Sequence, residues 1–332
     1  MTPPRELSIA FQTNKRPGEY RELARAVERY GFDVLSMYSD LTFQPPIVPL
    51  TLAALETSHI RLGPASLNPF SLHPVEIAGQ IATLDMVSNG RAYLGISRGA
   101  WLDAIDIDQQ RPVSRIVDAI QAVDHLLAGT PGAFAGRTFS MQPEVRLRYQ
   151  PERRSIPMLL GTWGRQLIRA AGPLVKEIKL GGSANPAVVP VVRSWLDDLA
   201  LPNPPGIVLG AVTVVDDAGD AARALIRREM ALYLPVVASL DPTVDVDPEL
   251  LSSVERLVAE NRVDEAGRQI PEQLIGKFAI AGAPSDVIAQ CQAMFEAGAS
   301  RIEFGTPHGL STRRGLQLLG ERVLPALRSH RA

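Results

Sequence analysis

Four times within the first 130 residues a short apolar run is followed by an amphipathic helical pattern, and this cadence restricts the chain to folds built on a parallel sheet. The runs lie at 7–11, 33–38, 60–67 and 92–96, and the helical patterns at 19–30, 49–56, 74–87 and 113–127. The stretch 81–99 shows one joint in full. A helical end runs into Ser88, Asn89 and Gly90, where Asn-Gly supplies the positive φ of a tight reversal. The apolar strand 92–96 follows and leaves through the polar residues Ser97, Arg98 and Gly99.

The cadence pauses at 133–150, an excursion whose alternating Phe134, Phe139, Val145, Leu147 and Tyr149 predict short strands. It resumes with strands at 157–161, 175–180 and 207–215 and with helices ending at Ala171, at 186–199 and at 220–234. Residues 239–280 are charged, helical in pieces (248–260 and 271–278), and read as an insertion or an oligomer-forming element. A helix at 284–297, an eighth strand at 301–305 and a helix at 314–327 close the chain. Eight strands with intervening helices predict a (β/α)8 TIM barrel, organised as a single domain over 1–332. No GxGxxG follows the first strand, which argues against a dinucleotide-binding Rossmann fold.

Charge removes several classes of partner. Lys and Arg number 34 against 36 Asp and Glu, so no basic field argues for nucleic acid. The single cysteine, Cys291, sits in a helical pattern beside Ala289, Met294 and Phe295; it excludes an internal disulfide framework and is expected in the core. No apolar run approaches the roughly 18 residues of a membrane helix, and no signal-peptide pattern opens the chain, so a cytoplasmic protein is expected.

In a barrel of this kind chemistry collects at the C-terminal ends of the strands. Those ends are 12–14, 39–40, 66–69, 97–101, 161–164, 181–185 and 305–308, a set rich in Gly, Ser, Thr and Asn and poor in acid/base pairs. That suits a large planar or phosphorylated ligand held by amides and hydroxyls. The five histidines, His59, His73, His125, His308 and His330, have no metal-ligand spacing, and His125 and His330 are expected at the surface. There is no GxSxG elbow, and Asp85 and Arg91 are expected to form a structural pair near the helix-to-strand joint rather than to do chemistry. Gly161, Thr162, Trp163, Gly164 and Arg165 join a strand to a helix and could hold a phosphate on free amides, or form a plain turn; 181–186 repeats the pattern one strand on.

Several of these residues carry a resemblance. Thr83-Leu84-Asp85 with Ser88-Asn89-Gly90-Arg91 and Leu94-Gly95-Ile96, Leu62-Gly63-Pro64 with Asn68-Pro69, and Pro112-Val113-Ser114 fall in order, as do Gly161 with Ala171-Gly172, Ser183-Ala184-Asn185-Pro186 and Leu318-Leu319-Gly320. The chain resembles the bacterial luciferase-like superfamily, in the deazaflavin branch typified by methylenetetrahydromethanopterin reductase. The resemblance implies coenzyme F-420 (8-hydroxy-5-deazaflavin), with FMN the alternative, and a homodimer. It implies a non-prolyl cis peptide at Ala65–Ser66 backing the ring, with Asp40 and Asn68 beside it. It also implies phosphate loops at 161–165 (Gly161, Thr162, Gly164, Arg165) and 181–185 (Gly181, Ser183, Asn185).

Two departures matter. Leu41 and Ala100 stand where many deazaflavin relatives carry a histidine and an acid. His73, with Asp40, is then the remaining catalytic candidate, or the substrate needs little acid help. Met37, Phe43, Phe70 and Trp101, with Arg98, are expected to wall the substrate pocket, or any of the four apolar residues belongs to the core at the barrel top. The implied reaction is hydride transfer between reduced deazaflavin and an activated C=C or C=N bond of a small organic or peptide-derived substrate, a dehydroamino acid among them. An FMN-dependent monooxygenase and a non-catalytic coenzyme-binding protein stay open as alternatives.

Overall fold

The computed structural model describes residues 5–329, so His330 lies outside the described residues. Eight parallel strands form the barrel: β1 (Glu6–Phe11), β2 (Val34–Met37), β3 (Arg61–Pro64), β4 (Leu94–Ser97), β5 (Met158–Gly161), β6 (Glu177–Gly181), β7 (Gly206–Val215) and β8 (Arg301–His308). They neighbour one another in chain order, and β8 returns to β1 with Ile302 opposite Leu7. β3 and β4 are joined by the bridges Leu62–Ala92 and Leu67–Ile96 on either side of a bulge. In that bulge the Ala65–Ser66 peptide is cis, as the resemblance implies.

Strand alternation sorts the side chains. On β1, Leu7, Ile9 and Phe11 are fully buried in the layer between barrel and helices. Their neighbours Glu6, Ser8 and Ala10 turn to the barrel axis. The helices close over this layer with their apolar stripes, for example Tyr20, Ala24 and Val27 of helix Pro17–Tyr30. Cys291 is buried there too, and burial pushes its thiol up, away from reactivity.

Three expectations are corrected. The segment 239–280 does contain helices at Pro248–Ala259, Val263–Gln269 and Glu272–Phe278, but a strand, Ala279–Gly282, follows at once. β6 ends opposite Gly210, and beyond it Val212–Val215 of β7 pairs with this added strand. The segment also shares a separate hydrophobic cluster with helix Gly219–Ala231, in which Ile226 joins Val254, Ile275 and Phe278. His125, expected at the surface, is half-buried with its ring edge-on to Phe134 of the Phe134–Ala135/Ser140–Met141 hairpin. Asp85, expected to pair with Arg91, is fully buried against Arg153, whose Nη2 lies 2.6 Å from Oδ1. Arg91 instead donates to the carbonyls of Ala54, Thr57, Ile60 and Ser88, closing the end of helix Ile47–Leu55. No helix among the described residues is long and apolar enough to cross a membrane.

The β3–β4 crossing is tight enough to require glycine. A Cβ on Gly95 would lie 2.1 Å from the Pro64 carbonyl oxygen, and one on Gly63 2.2 Å from that of Tyr93. Both obstacles are backbone and cannot swing aside. Gly95→Ala is therefore expected to destabilise the protein by at least ~2 kcal/mol, read as a lowered urea midpoint.

At the end of β8, after the cis Thr306–Pro307 bond, His308 is fully buried. Its Nε2 lies 3.1 Å from the Ala10 carbonyl and 3.3 Å from that of Phe304. Carbonyls only accept, so Nε2 carries the proton, and Nδ1 is buried without a partner among the described residues. Burial lowers the imidazole from 6.5 to about 4. Between those values the unfolded chain takes up a proton that the folded chain refuses, so stability falls as pH drops through the window and is unaffected by this group above it. The full loss is about 3 kcal/mol. Urea midpoints measured from pH 7.5 to 4 should slope more steeply for the native chain than for His308→Gln.

Candidate active site at the strand ends

β6 reads Glu-Ile-Lys-Leu-Gly and β8 begins Arg-Ile-Glu-Phe-Gly. Alternation turns Glu177, Lys179 and Gly181, and likewise Arg301, Glu303 and Gly305, toward the axis, placing opposite charges on facing strands. Lys179 pairs with Glu303, and Arg301 with Glu177 at 2.9 Å. Ser36 donates to the second Glu303 oxygen at 2.6 Å, and the Tyr93 hydroxyl meets Ser36 at 2.7 Å. Burial alone raises the Glu303 carboxyl, but Lys179, Arg301 and the hydrogen bonds outweigh it and hold the group below the usual carboxylate range. The Lys179 ammonium lies 5.6 Å from the centre of the Tyr38 ring. Tyr38 is held protonated by burial and by the negative charge of Glu303 and Asp40.

Above this charged floor the strands end in small residues. A Cβ on Gly181 would meet nothing within 4 Å, whereas one on Gly305 would strike the Tyr38 hydroxyl at 2.5 Å. Beside them Ser66 donates to Ser97 at 2.6 Å, and the Gly99 amide donates to Ser97 at 3.3 Å. Gly161 has Ser97 and Ser66 as its nearest side chains. Thus the cis bulge and the ends of β4 to β6 form one continuous wall of small side chains around an open space.

The structure treats the expected site residues unequally. Asp40 stands at the rim, its Oδ2 accepting from Gln12 at 2.7 Å. Asn68 is buried and its Oδ1 accepts from the amides of Phe70 and Ser71, so it shapes the turn after the bulge. In the 161–165 loop the Thr162 amide is taken by the Lys179 carbonyl and that of Gly164 by the Thr162 hydroxyl, while Arg165 reaches outward to Asp198. In the 181–185 loop the amides of Gly182 and Ser183 go to Gly210, and that of Ala184 to Lys277. Asn185 is buried and binds Asp241 and Thr243. The donors of these loops are therefore largely committed to the protein itself.

His73 caps helix Pro74–Val87, its Nδ1 accepting from the Val75 amide at 3.2 Å, and its ring meets Phe139 edge-on. These contacts belong to the helix start and to the excursion rather than to the strand-end wall. Met37 takes the outward register, opposite to Ser36, and is fully buried against the helices; it does not face the opening. Phe70 stacks on Arg115, which also covers Phe139, in the outer shell. Phe43 and Trp101 are 41% and 51% exposed, and Arg98 is exposed. Among the described residues no group of three or more His, Cys, Asp or Glu side chains is gathered to hold a metal.

Sequence reasoning missed Lys179, Glu303, Ser36, Tyr38 and Tyr93. The signal was available: charge alternates with aliphatic residues in both β6 and β8, and a strand of a closed barrel has no solvent-facing side to receive those charges.

Comparison with known proteins adds the lineage. A 5,10-methylenetetrahydromethanopterin reductase from Archaeoglobus fulgidus is 26% identical, covering 97% of this chain and all of its own length. An F420-dependent glucose-6-phosphate dehydrogenase from Nakamurella multipartita is 23% identical over 99% of this chain and 98% of its own. The solved coenzyme F420-dependent tetrahydromethanopterin reductase of Methanopyrus kandleri superposes with a TM-score of 0.88 at 22% identity, covering 98% of this chain and 99% of that one. The model of the luciferase-like monooxygenase family matches residues 3–301, and the chain belongs to that family.

Proposed function

We propose that this protein is a coenzyme F-420-dependent oxidoreductase acting at the C-terminal end of its barrel. The observation that carries the reading is the open space at Gly181, at strand ends that also carry the Ser66–Ser97 pair and stand above the contact of Lys179 with Tyr38. A flat ring needs a wall of small residues, and a Cβ at Gly181 would project into the space. The full-length similarity to enzymes whose names specify F420 supports this coenzyme over others.

When bound, the deazaflavin supplies the hydride donor or acceptor. The protein's part is to hold and to polarise. Ser66, Ser97 and Asp40 are the polar groups at the opening. Lys179 places positive charge beneath it, in a site where charge interacts more strongly than in water. With Leu41 and Ala100 at the strand ends and His73 engaged at a helix start, an activated C=C or C=N acceptor suits this site. Hydride addition to an activated alkene leaves an enolate-like carbanion that water can protonate. A small organic or peptide-derived substrate, including a dehydroamino acid, meets that requirement, with Phe43, Arg98 and Trp101 exposed at the rim to receive it.

We also infer a homodimer. Helix Ile47–Leu55 is apolar throughout apart from Thr51, yet Val48 and Leu55 are 61% and 62% exposed, a face suited to a second copy. The monooxygenase description of the family supports one rival, FMN-dependent oxygen chemistry.

A fluorescence titration with F-420 and, in parallel, with FMN decides between the two. Micromolar or tighter binding of F-420 without FMN binding is expected; the reverse preference would replace this reading with the rival. Gly181→Val provides the site test. Its Cβ has no neighbour within 4 Å, so its urea midpoint should match that of the native chain while F-420 affinity falls at least ~10-fold.

A further inference from the structure

A cleft of about 770 Å3, within the size range of small-molecule sites, opens at the other end of the barrel, where the strands begin, against the proline-rich loop 201–205. Tyr93, Met158, Pro202, Pro204 and Pro205 give it an apolar wall. Arg61, Lys176 and Arg193 face it, against the carboxylates Glu6 and Glu177.

Both carboxylates are already used. Glu6 pairs with Arg61, and Glu177 with Arg301. Lys176 and Arg193 have no carboxylate partner among the described residues; Arg193 reaches only the Pro205 carbonyl, at 3.4 Å. Arg301 does not line the cleft; it is fully buried behind the lining residues Tyr93 and Glu177, opposite its strand partner Glu6. Its Nε and Nη1 nevertheless have no acceptor among the described residues. Positive charge exceeds negative in this cleft, because Arg61 is matched by Glu6 and Glu177 by Arg301, while Lys176 and Arg193 are left without a carboxylate.

We propose that the cleft is a second binding site, separate from the strand-end opening, for a small organic anion. Its carboxylate or phosphate group lies against Arg193 and Lys176, and its flat apolar body lies on the Tyr93 and proline wall. None of these residues belongs to the strand-end wall, so the inference stands whether or not the coenzyme assignment holds.

Calorimetric titration of the full chain with benzoate, phenyl phosphate, inorganic phosphate and benzyl alcohol tests the site and separates the anion types. At least one of the two aromatic anions should bind, and inorganic phosphate and benzyl alcohol should each bind at least ~10-fold more weakly than it does. Arg193→Ala and Lys176→Ala remove side chains outside the core and should each weaken the aromatic anion ~10-fold or more, whereas Gly181→Val should leave it unchanged. The proposal is overturned if neither aromatic anion binds, or if inorganic phosphate binds as well as the aromatic anions. Binding that survives both cleft variants, or that disappears in Gly181→Val, would place the anion elsewhere and equally end it.

Discussion

The pairing of Lys179 with Glu303 inside the barrel is the constraint on which the strand-end site depends. Most barrels fill their axis with branched aliphatic residues in layers. Here Val34, Leu159 and Val208 form only a small buried cluster with Tyr93, and Ser36, Lys179, Glu303, Arg301 and Glu177 share the axis with it; each charge is tolerated only because another sits within hydrogen-bond reach. Removal of one partner strands the other in a medium that solvates it poorly. The axis is therefore a single electrostatic unit running from Arg301 at the base to Lys179 below the opening.

That arrangement separates two tasks that an aliphatic barrel combines. Stability comes from the outer layer, where Leu7, Ile9, Phe11, Met37, Ile302 and Phe304 pack against helices. The interior is left free for polar chemistry and for glycine. Glycine at Gly63 and Gly95 lets the β3 and β4 backbones approach across the bulge, and at Gly161 lets β5 lie close to Ser97, while glycine at Gly181 leaves space. The same residue type thus serves close approach in one place and vacancy in another, and only the neighbours tell them apart.

Much of the fold was legible because period-2 and period-3.6 patterns dominate when both faces of an element are committed. Where they failed, the reason is local. Ala279–Gly282 consists of small apolar residues that follow a helix without an intervening turn, so nothing in the pattern marks the change from helix to strand. The partner of Asp85 lies 68 residues away, and adjacency in sequence made Arg91 the natural choice. At the site, glycine and hydroxyl residues were readable from strand-end positions, and the cis Ala65–Ser66 bond only through resemblance. The destination of loop amides was not readable at all. Whether Gly182 or Ala184 offers its N–H to a ligand depends on Gly210 and Lys277, which are distant in sequence.

Those last contacts join two parts of the molecule that have separate hydrophobic clusters. The 181–185 loop is held by Lys277 from one side and, through Asn185, by Asp241 and Thr243 from the other, all within the segment that shares the second cluster. Local opening of that segment breaks these bonds together and frees the Ala184 amide and the Asn185 side chain at the rim of the barrel. Folding of the segment and the hydrogen-bonding capacity of the rim are in this sense one equilibrium, so any ligand that recruits the Ala184 or Asn185 groups must draw its binding energy against the cohesion of the added helices.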